Sequence, residues 1–297
     1  MSNPSLSGTF LFSVTPTRAN GDLDLPALGR LLDHAIAQGV HGVTVFGSTG
    51  MIGSFTEDER RTVIRFAVDH VAGRVPVMAG TGAITTAEAV RLSRFSQDVG
   101  ADALLVVPIT YWIPSDDELF GHYKAIAESV TLPVVAYNSP RLTVVDMSSA
   151  FIARLSSIEN IWRTKESSPD LARIPAARRL SGGRMRVATG RDSNALDAFL
   201  LGADAWYAGI SNVIPGFASQ LYELACVKRD MDAAAALFAR IQPVCAFAME
   251  KGLVRVAYTG LELQGLPVGV PRAPVGMLAG PDRDRLAVLL RELGLVK

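Results

Sequence analysis

Eight short β-rich runs alternate with longer helical patterns along the chain, at 8–15, 41–47, 75–80, 101–107, 132–138, 160–165, 184–190 and 204–210. Such alternation specifies parallel strands joined by crossover helices. Eight repeats predict an α/β fold in which the sheet closes on itself, a (β/α)8 TIM barrel. Amphipathic stretches at 25–38, 56–71, 85–99 and 115–130 separate the early runs. Thr56 is followed three residues later by Glu59, Thr85 by Glu88 and Ser115 by Glu118, each the pattern of a capping box. After the eighth run the pattern is wholly helical, at 215–228, 231–251 and 281–293, which is more helix than the barrel needs. The division expected is a barrel carrying the active site over 1–229 and a helical appendage packed on it over 230–297, with Pro267, Pro271 and Pro274 marking an irregular crossing.

Composition narrows the function. Hydrophobic residues make up 49% of the 297, and 29 basic side chains balance 29 acidic ones. A chain with no net field has no electrostatic means of recruiting nucleic acid or an anionic membrane. No apolar run approaches the ~18 residues that span a bilayer. Cys226 and Cys245 fall in helical patterns and no signal-like segment opens the chain, so a reduced, soluble, cytoplasmic protein is expected. His34, His41, His70 and His122 are scattered without paired spacing, which predicts no metal site. Ser181-Gly182-Gly183-Arg184 precedes a strand instead of following one, so no nucleotide cofactor is indicated.

Barrel enzymes carry their chemistry at the carboxyl ends of the strands. Lys165 stands at the end of the sixth run. The other four lysines, Lys124, Lys228, Lys251 and Lys297, lie in helix-like or terminal contexts. A desolvated lysine loses basicity, and its neutral amine can attack a ketone to form a Schiff base. The bland alternative is a strand-end lysine paired with a carboxylate such as Glu166. The fifth run delivers Tyr137, 28 positions before Lys165, which suits one βαβ step and general acid–base work on an imine. The second run ends in Gly47-Ser48-Thr49-Gly50, either a plain glycine turn or a carboxylate cradle. Tyr111 and Trp112 follow the fourth run, where aromatics are usually packing. Gly190 and Asp192 follow the seventh, with Asp192 either a helix N-cap or a ligand for the distal end of a substrate. Gly209 and Ser211 follow the eighth and could complete a pocket.

With Gly47-Ser48-Thr49-Gly50, Tyr137-Asn138-Ser139-Pro140 and Lys165-Glu166-Ser167-Ser168 in order, the chain resembles the dihydrodipicolinate synthase/N-acetylneuraminate lyase family over nearly its whole length. The resemblance implies a class I aldolase or lyase acting on pyruvate or a related 2-keto acid, with no cofactor beyond a covalent imine. Lys165 would carry the imine, Tyr137 would shuttle protons, and Ser48, Thr49 and Gly50 would hold the keto-acid carboxylate, with Thr49 relaying protons. Tyr111 matches the tyrosine that members lend to a neighbouring subunit, which implies a homotetramer built as a dimer of dimers. Ser167, Gly190, Asp192, Gly209 and Ser211 fall where members contact substrate.

Three departures bear on the substrate. Leu142 stands where lysine-pathway synthases have an arginine, which sits one place earlier as Arg141. Met51 replaces the glutamate that usually follows the Gly-Ser-Thr-Gly loop, which predicts a changed pocket polarity. Arg163 alternates onto the same side as Lys165, and a buried cation there is expected to depress the lysine further. Three other readings stay open beside the aldolase: an imine-dependent dehydratase or deaminase of a 2-keto-3-deoxy sugar acid or cyclic imino acid, 4-hydroxy-tetrahydrodipicolinate synthase, and a catalytically inactive barrel with a binding role.

Overall fold

In the computed structural model, which describes residues 5–297, eight parallel strands close a barrel in sequence order, as the eight-run pattern predicts. They are β1 (Gly8–Phe12), β2 (Gly42–Val45), β3 (Val77–Gly80), β4 (Ala103–Val106), β5 (Val134–Asn138), β6 (Arg163–Glu166), β7 (Arg186–Thr189) and β8 (Ala205–Ala208). The helices between them are α1 (Leu25–Ala37), α2 (Glu57–Val71), α3 (Thr86–Asp98), α4 (Asp116–Glu128), the short α5 (Pro140–Thr143), α6 (Ser149–Leu155), α7 (Arg173–Leu180) and α8 (Ala195–Leu200). After β8 come α9 (Pro215–Tyr222), α10 (Met231–Lys251), α11 (Leu253–Leu263) and α12 (Gly280–Glu292).

Thr56 and Ser115 make complete capping boxes at α2 and α4. Thr85 makes only half of one: its hydroxyl accepts from the Glu88 N–H at 3.3 Å, while the Glu88 carboxylate turns to Arg60 at 3.8 Å. Arg60 explains the diversion. Its guanidinium is buried and donates to the carbonyls of Gly80 and Gly82 at 3.1 and 2.8 Å, and a buried cation needs a counter-charge more than a helix needs a second cap.

The strands are shorter than the runs that predict them. The 41–47 run stops at Val45 because Phe46 takes a left-handed φ of 58°. That conformation costs a non-glycine residue roughly 1–2 kcal/mol, and it turns the chain into the Gly47-Ser48-Thr49 loop. The turn has a fixed requirement across the barrel, since a Cβ on Gly80 would fall 1.9 Å from the Phe46 carbonyl oxygen.

The barrel interior is layered. Phe10 and Phe12 of β1 pack on Tyr207 of β8, with ring centroids 5.0 and 5.5 Å apart. Arg163 points inward as alternation predicts, but from the amino-terminal end of β6, where it donates to Asp204 at 2.6 and 3.0 Å and to Ser7 at 3.1 Å. Its charge is balanced at the barrel floor. The charged groups that bear on Lys165 are Tyr137 and Asp192, so the expected depression of Lys165 by Arg163 is overturned.

α10 qualifies another expectation. By length and composition it could cross a membrane, a consequence of its alanines more than of any apolar run. Here Leu237, Ile241, Val244 and Phe247 form a buried face.

Asp204→Ala leaves the Arg163 guanidinium buried without a counter-charge. We expect the unfolding free energy in urea to fall by roughly 3 kcal/mol, with most of it recovered when Arg163→Met is added.

Candidate active site

Lys165 is paired in register with Tyr137 on β5 and Ala188 on β7. Alternation sends Lys165 and Tyr137 into the barrel and Asn138 and Glu166 outward. Glu166 is therefore not the partner of Lys165. Its carboxylate accepts from the Asn138 amide at 3.0 and 3.2 Å and from the Ser168 N–H at 2.6 Å, behind the strands, with Asn138 in turn near Asp146 at 3.3 Å.

Lys165 is 3% exposed, and its Nζ lies 3.4 Å from the centroid of the Phe12 ring and 4.4 Å from that of Tyr137. Burial lowers its pKa below the ordinary lysine value, and the charges of Tyr137 and Asp192 offset this only in part. Burial alone would raise the Tyr137 phenol, but the charge on Lys165 and the hydroxyls of Ser139 and Ser48 outweigh it and bring it down. Ser48 Oγ donates to Tyr137 Oη at 3.4 Å. Each group therefore gives up its proton more readily than it would in water.

Two glycines make room. A Cβ on Gly190 would stand 2.3 Å from Lys165 Cε and 2.0 Å from Ser167 Oγ. A Cβ on Gly209 would meet Leu253 Cδ2 at 2.1 Å and Thr49 Oγ1 at 2.8 Å. Both positions border a cavity of about 400 Å³ at the carboxyl ends of the strands, lined also by Ser48, Thr49, Tyr137, Lys165, Ser167 and Asp192. Eight of the eleven site residues expected from sequence meet there.

The other three do not line it. Gly50 is packed against the barrel wall: its carbonyl accepts from Thr15 Oγ1 at 2.8 Å, and a Cβ would lie 3.0 Å from Phe46 N and Ser13 O. Ser211 is sealed in the interior beside Asn212, whose side chain ties β1 to the loop after β8. Tyr111 is 84% exposed and stands outside the cavity of its own chain. Met51, with φ 53°, packs toward the hydrophobic core and not into the cavity, so the change of pocket polarity expected from it does not follow.

Asp192 is no helix cap. Its Oδ1 accepts from Trp206 Nε1 at 3.0 Å and its Oδ2 from the Ile210 N–H at 3.1 Å, tying the end of β7 to β8. Burial pushes its carboxyl up to about 6, against the lowering effect of Lys165 and these donors. Among the described residues no group of three or more His, Cys, Asp or Glu is placed to hold a metal.

One wall was not anticipated. Ala248, Met249, Leu253, Val254 and Arg255, around the left-handed Gly252 (φ 96°) that joins α10 to α11, close over the mouth together with Val275. The helical tail was legible, but the corner at Gly252 was not. Nothing in the pattern says that this corner faces the barrel mouth.

Comparison with known proteins agrees with this geometry. Residues 5–293 match the Dihydrodipicolinate synthetase family. The 4-hydroxy-tetrahydrodipicolinate synthase of Herminiimonas arsenicoxydans is 34% identical over 292 residues, covering 98% of this chain and 100% of that one. The chloride-inhibited dihydrodipicolinate synthase of Acinetobacter baumannii, solved with pyruvate, superposes with a TM-score of 0.93 at 32% identity, covering 98% and 100% of the two chains. A prophage protein of the dihydrodipicolinic acid synthase family from E. coli K12, also solved with pyruvate, gives 0.92 at 31% identity, covering 98% and 99%. Fold, site and relatives define a (β/α)8 barrel enzyme of the lyase class. The chain belongs to the dihydrodipicolinate synthetase family.

The raised carboxyl of Asp192 predicts a pH signature. A group whose folded pKa lies above its unfolded value stabilises the fold below the unfolded pKa, and that contribution is lost as pH rises through the folded one. Stability should therefore decline between pH 4 and 6 by on the order of 2–3 kcal/mol from this group. The decline should flatten in Asp192→Asn, as followed by urea denaturation at several pH values.

Proposed function

We propose that the protein is a Schiff-base lyase that makes or cleaves a C–C bond next to pyruvate or a related 2-keto acid, with Lys165 as the imine-forming residue. The observation that carries this reading is a lysine 3% exposed, without a carboxylate partner of its own, beside a buried phenol and at the base of a cavity. The neutral amine attacks the ketone carbon, a C–N bond forms, and the carbonyl electron pair takes up a proton to give a carbinolamine. Tyr137 supplies that proton, accepts the one released by the nitrogen, and then protonates the hydroxyl that departs as water. The resulting iminium draws electrons from the adjacent carbon, so a proton or an aldehyde fragment can leave it and the enamine can later be re-protonated.

Ser48 and Thr49 line the cavity where the keto-acid carboxylate is held, with Thr49 relaying protons and Ser167, Gly190, Asp192 and Gly209 bordering the rest of the substrate. No cofactor other than the covalent imine enters this scheme. Tyr111, exposed beside an equally exposed Trp112 at 80%, reaches the site of a neighbouring subunit in a homotetramer assembled as a dimer of dimers. The two free cysteines suit a reduced, cytoplasmic setting. A second reading, 4-hydroxy-tetrahydrodipicolinate synthase activity, is favoured by the name that the curated relatives carry. Against it, Leu142 takes the place after the tyrosine motif where those synthases have an arginine, and Arg141, which also borders the cavity, donates to the Met249 carbonyl at 3.3 Å.

Incubation with pyruvate and borohydride should add one pyruvyl group, located by peptide mass mapping on Lys165 and lost in Lys165→Ala. The rate of trapping should rise with pH and level off below the ordinary lysine value of 10.5, because burial lowers the pKa of the amine. Tyr137→Phe should slow turnover by roughly 10²–10⁴-fold. An adduct that maps to another lysine would remove the assignment.

A further inference from the structure

The cavity over Lys165 carries a charge pattern that the imine chemistry does not use. Arg141 follows β5, Arg191 follows β7 and Arg255 belongs to α11, so three separate elements each bring a guanidinium to one mouth. The only carboxylate that borders the cavity is Asp192, and both of its oxygens already accept hydrogen bonds, from Trp206 and from the Ile210 N–H. Arg191 is half-buried at this mouth with the more exposed Arg141 and Arg255 beside it, whereas Arg163, Arg173 and Arg272 each pair with a carboxylate, Asp204, Asp146 and Glu59. At the mouth no salt bridge engages Arg141, Arg191 or Arg255 among the described residues, and one of the five N–H donors of Arg141 is spent on the Met249 carbonyl.

Leu142, Met249, Leu253, Val254 and Val275 border the same cavity. An apolar surround strengthens the attraction of a guanidinium for an anion, and the planar fork suits a two-oxygen acceptor. A neutral polyhydroxyl chain would leave these cations to water alone, whereas an anionic group would engage them directly.

We propose that Arg141, Arg191 and Arg255 form a second anion site, so that the substrate which reacts at Lys165 carries a terminal carboxylate or phosphate in addition to its 2-oxo acid group. This inference rests on the imine reading above, and it assigns Arg255 on α11, with Arg191, a part in choosing the substrate.

The test is borohydride trapping on the full-length protein with 2-oxo acids in matched pairs: 2-oxoglutarate against 2-oxopentanoate, and 2-oxoadipate against 2-oxohexanoate, with pyruvate as reference. Within a pair the chain length is equal and only the terminal charge differs. Half-saturating concentrations are read from intact mass. We expect the dicarboxylate of at least one pair to saturate at a concentration lower by about tenfold or more, and the preference to fall toward one in Arg191→Ala and Arg255→Ala and to weaken with added salt. Because the readout is a ratio within one variant, loss of folded protein lowers both members and leaves it unmoved. A phosphonate-terminated 2-oxo acid of the preferred length tells which anion the site takes. A pyruvate adduct with a ratio near one at every length would overturn the anion site and leave the imine intact. No adduct with any 2-oxo acid would overturn the imine reading and this inference with it.

Discussion

Everything at the mouth of this barrel depends on keeping water away from one amine. A lysine on a strand end would ordinarily be solvated, and the closed sheet desolvates Lys165 and lowers its basicity by surrounding it with Phe12, Tyr137 and the small Ala188. The requirement propagates outward through glycines. Gly190 must lack a side chain because Lys165 Cε occupies the space, and Gly47 must lack one because Phe12 does, with a hypothetical Cβ 2.6 Å from its ring. Phe46 accepts a left-handed backbone so that Ser48 and Thr49 can face the same space.

The two ends of the barrel use cations differently. At the floor, Arg163 is buried and its charge is matched by Asp204 and shared with Ser7, an arrangement that stabilises the fold and takes no part in the chemistry above it. At the mouth Arg141, Arg191 and Arg255 stand without a carboxylate partner among the described residues, while burial lowers the basicity of the lysine between the two levels. A tyrosine and phenylalanine layer separates the levels. Strand alternation places Arg163 and Lys165 on the same face, so the sequence suggests that they interact, but one lies at the floor and the other near the mouth.

Much of this was legible before any coordinates. The periodicity of eight runs is a direct consequence of parallel strands buried on both faces, and it yields the barrel. The step of 28 residues from Tyr137 to Lys165 yields their adjacency, because consecutive strands of a barrel pair in register. Less was legible where contacts are long-range. Asp192 reads as a cap by local chemistry, yet its carboxylate is spent on Trp206 and the Ile210 N–H. Gly50 and Ser211 read as ligand contacts because they adjoin residues that line the cavity, although the backbone turns them into the wall. Glu88 reads as half of a capping box until the buried Arg60 claims it. Arg255 could not be placed at all, since which face of α11 meets the barrel is decided by packing between segments far apart in the chain, not by any local pattern.

The central claim is that Lys165 is uncharged at a pH where free lysine is not. Its titration can be followed directly by NMR of protein labelled at the lysine ε-carbon, with only five lysines to resolve and Lys165→Ala to assign the signal. The account predicts a midpoint for Lys165 below the ordinary value of 10.5. A midpoint at or above that value would mean that the lysine is a solvated or ion-paired ammonium, and the chemistry proposed for the cavity would lose its nucleophile.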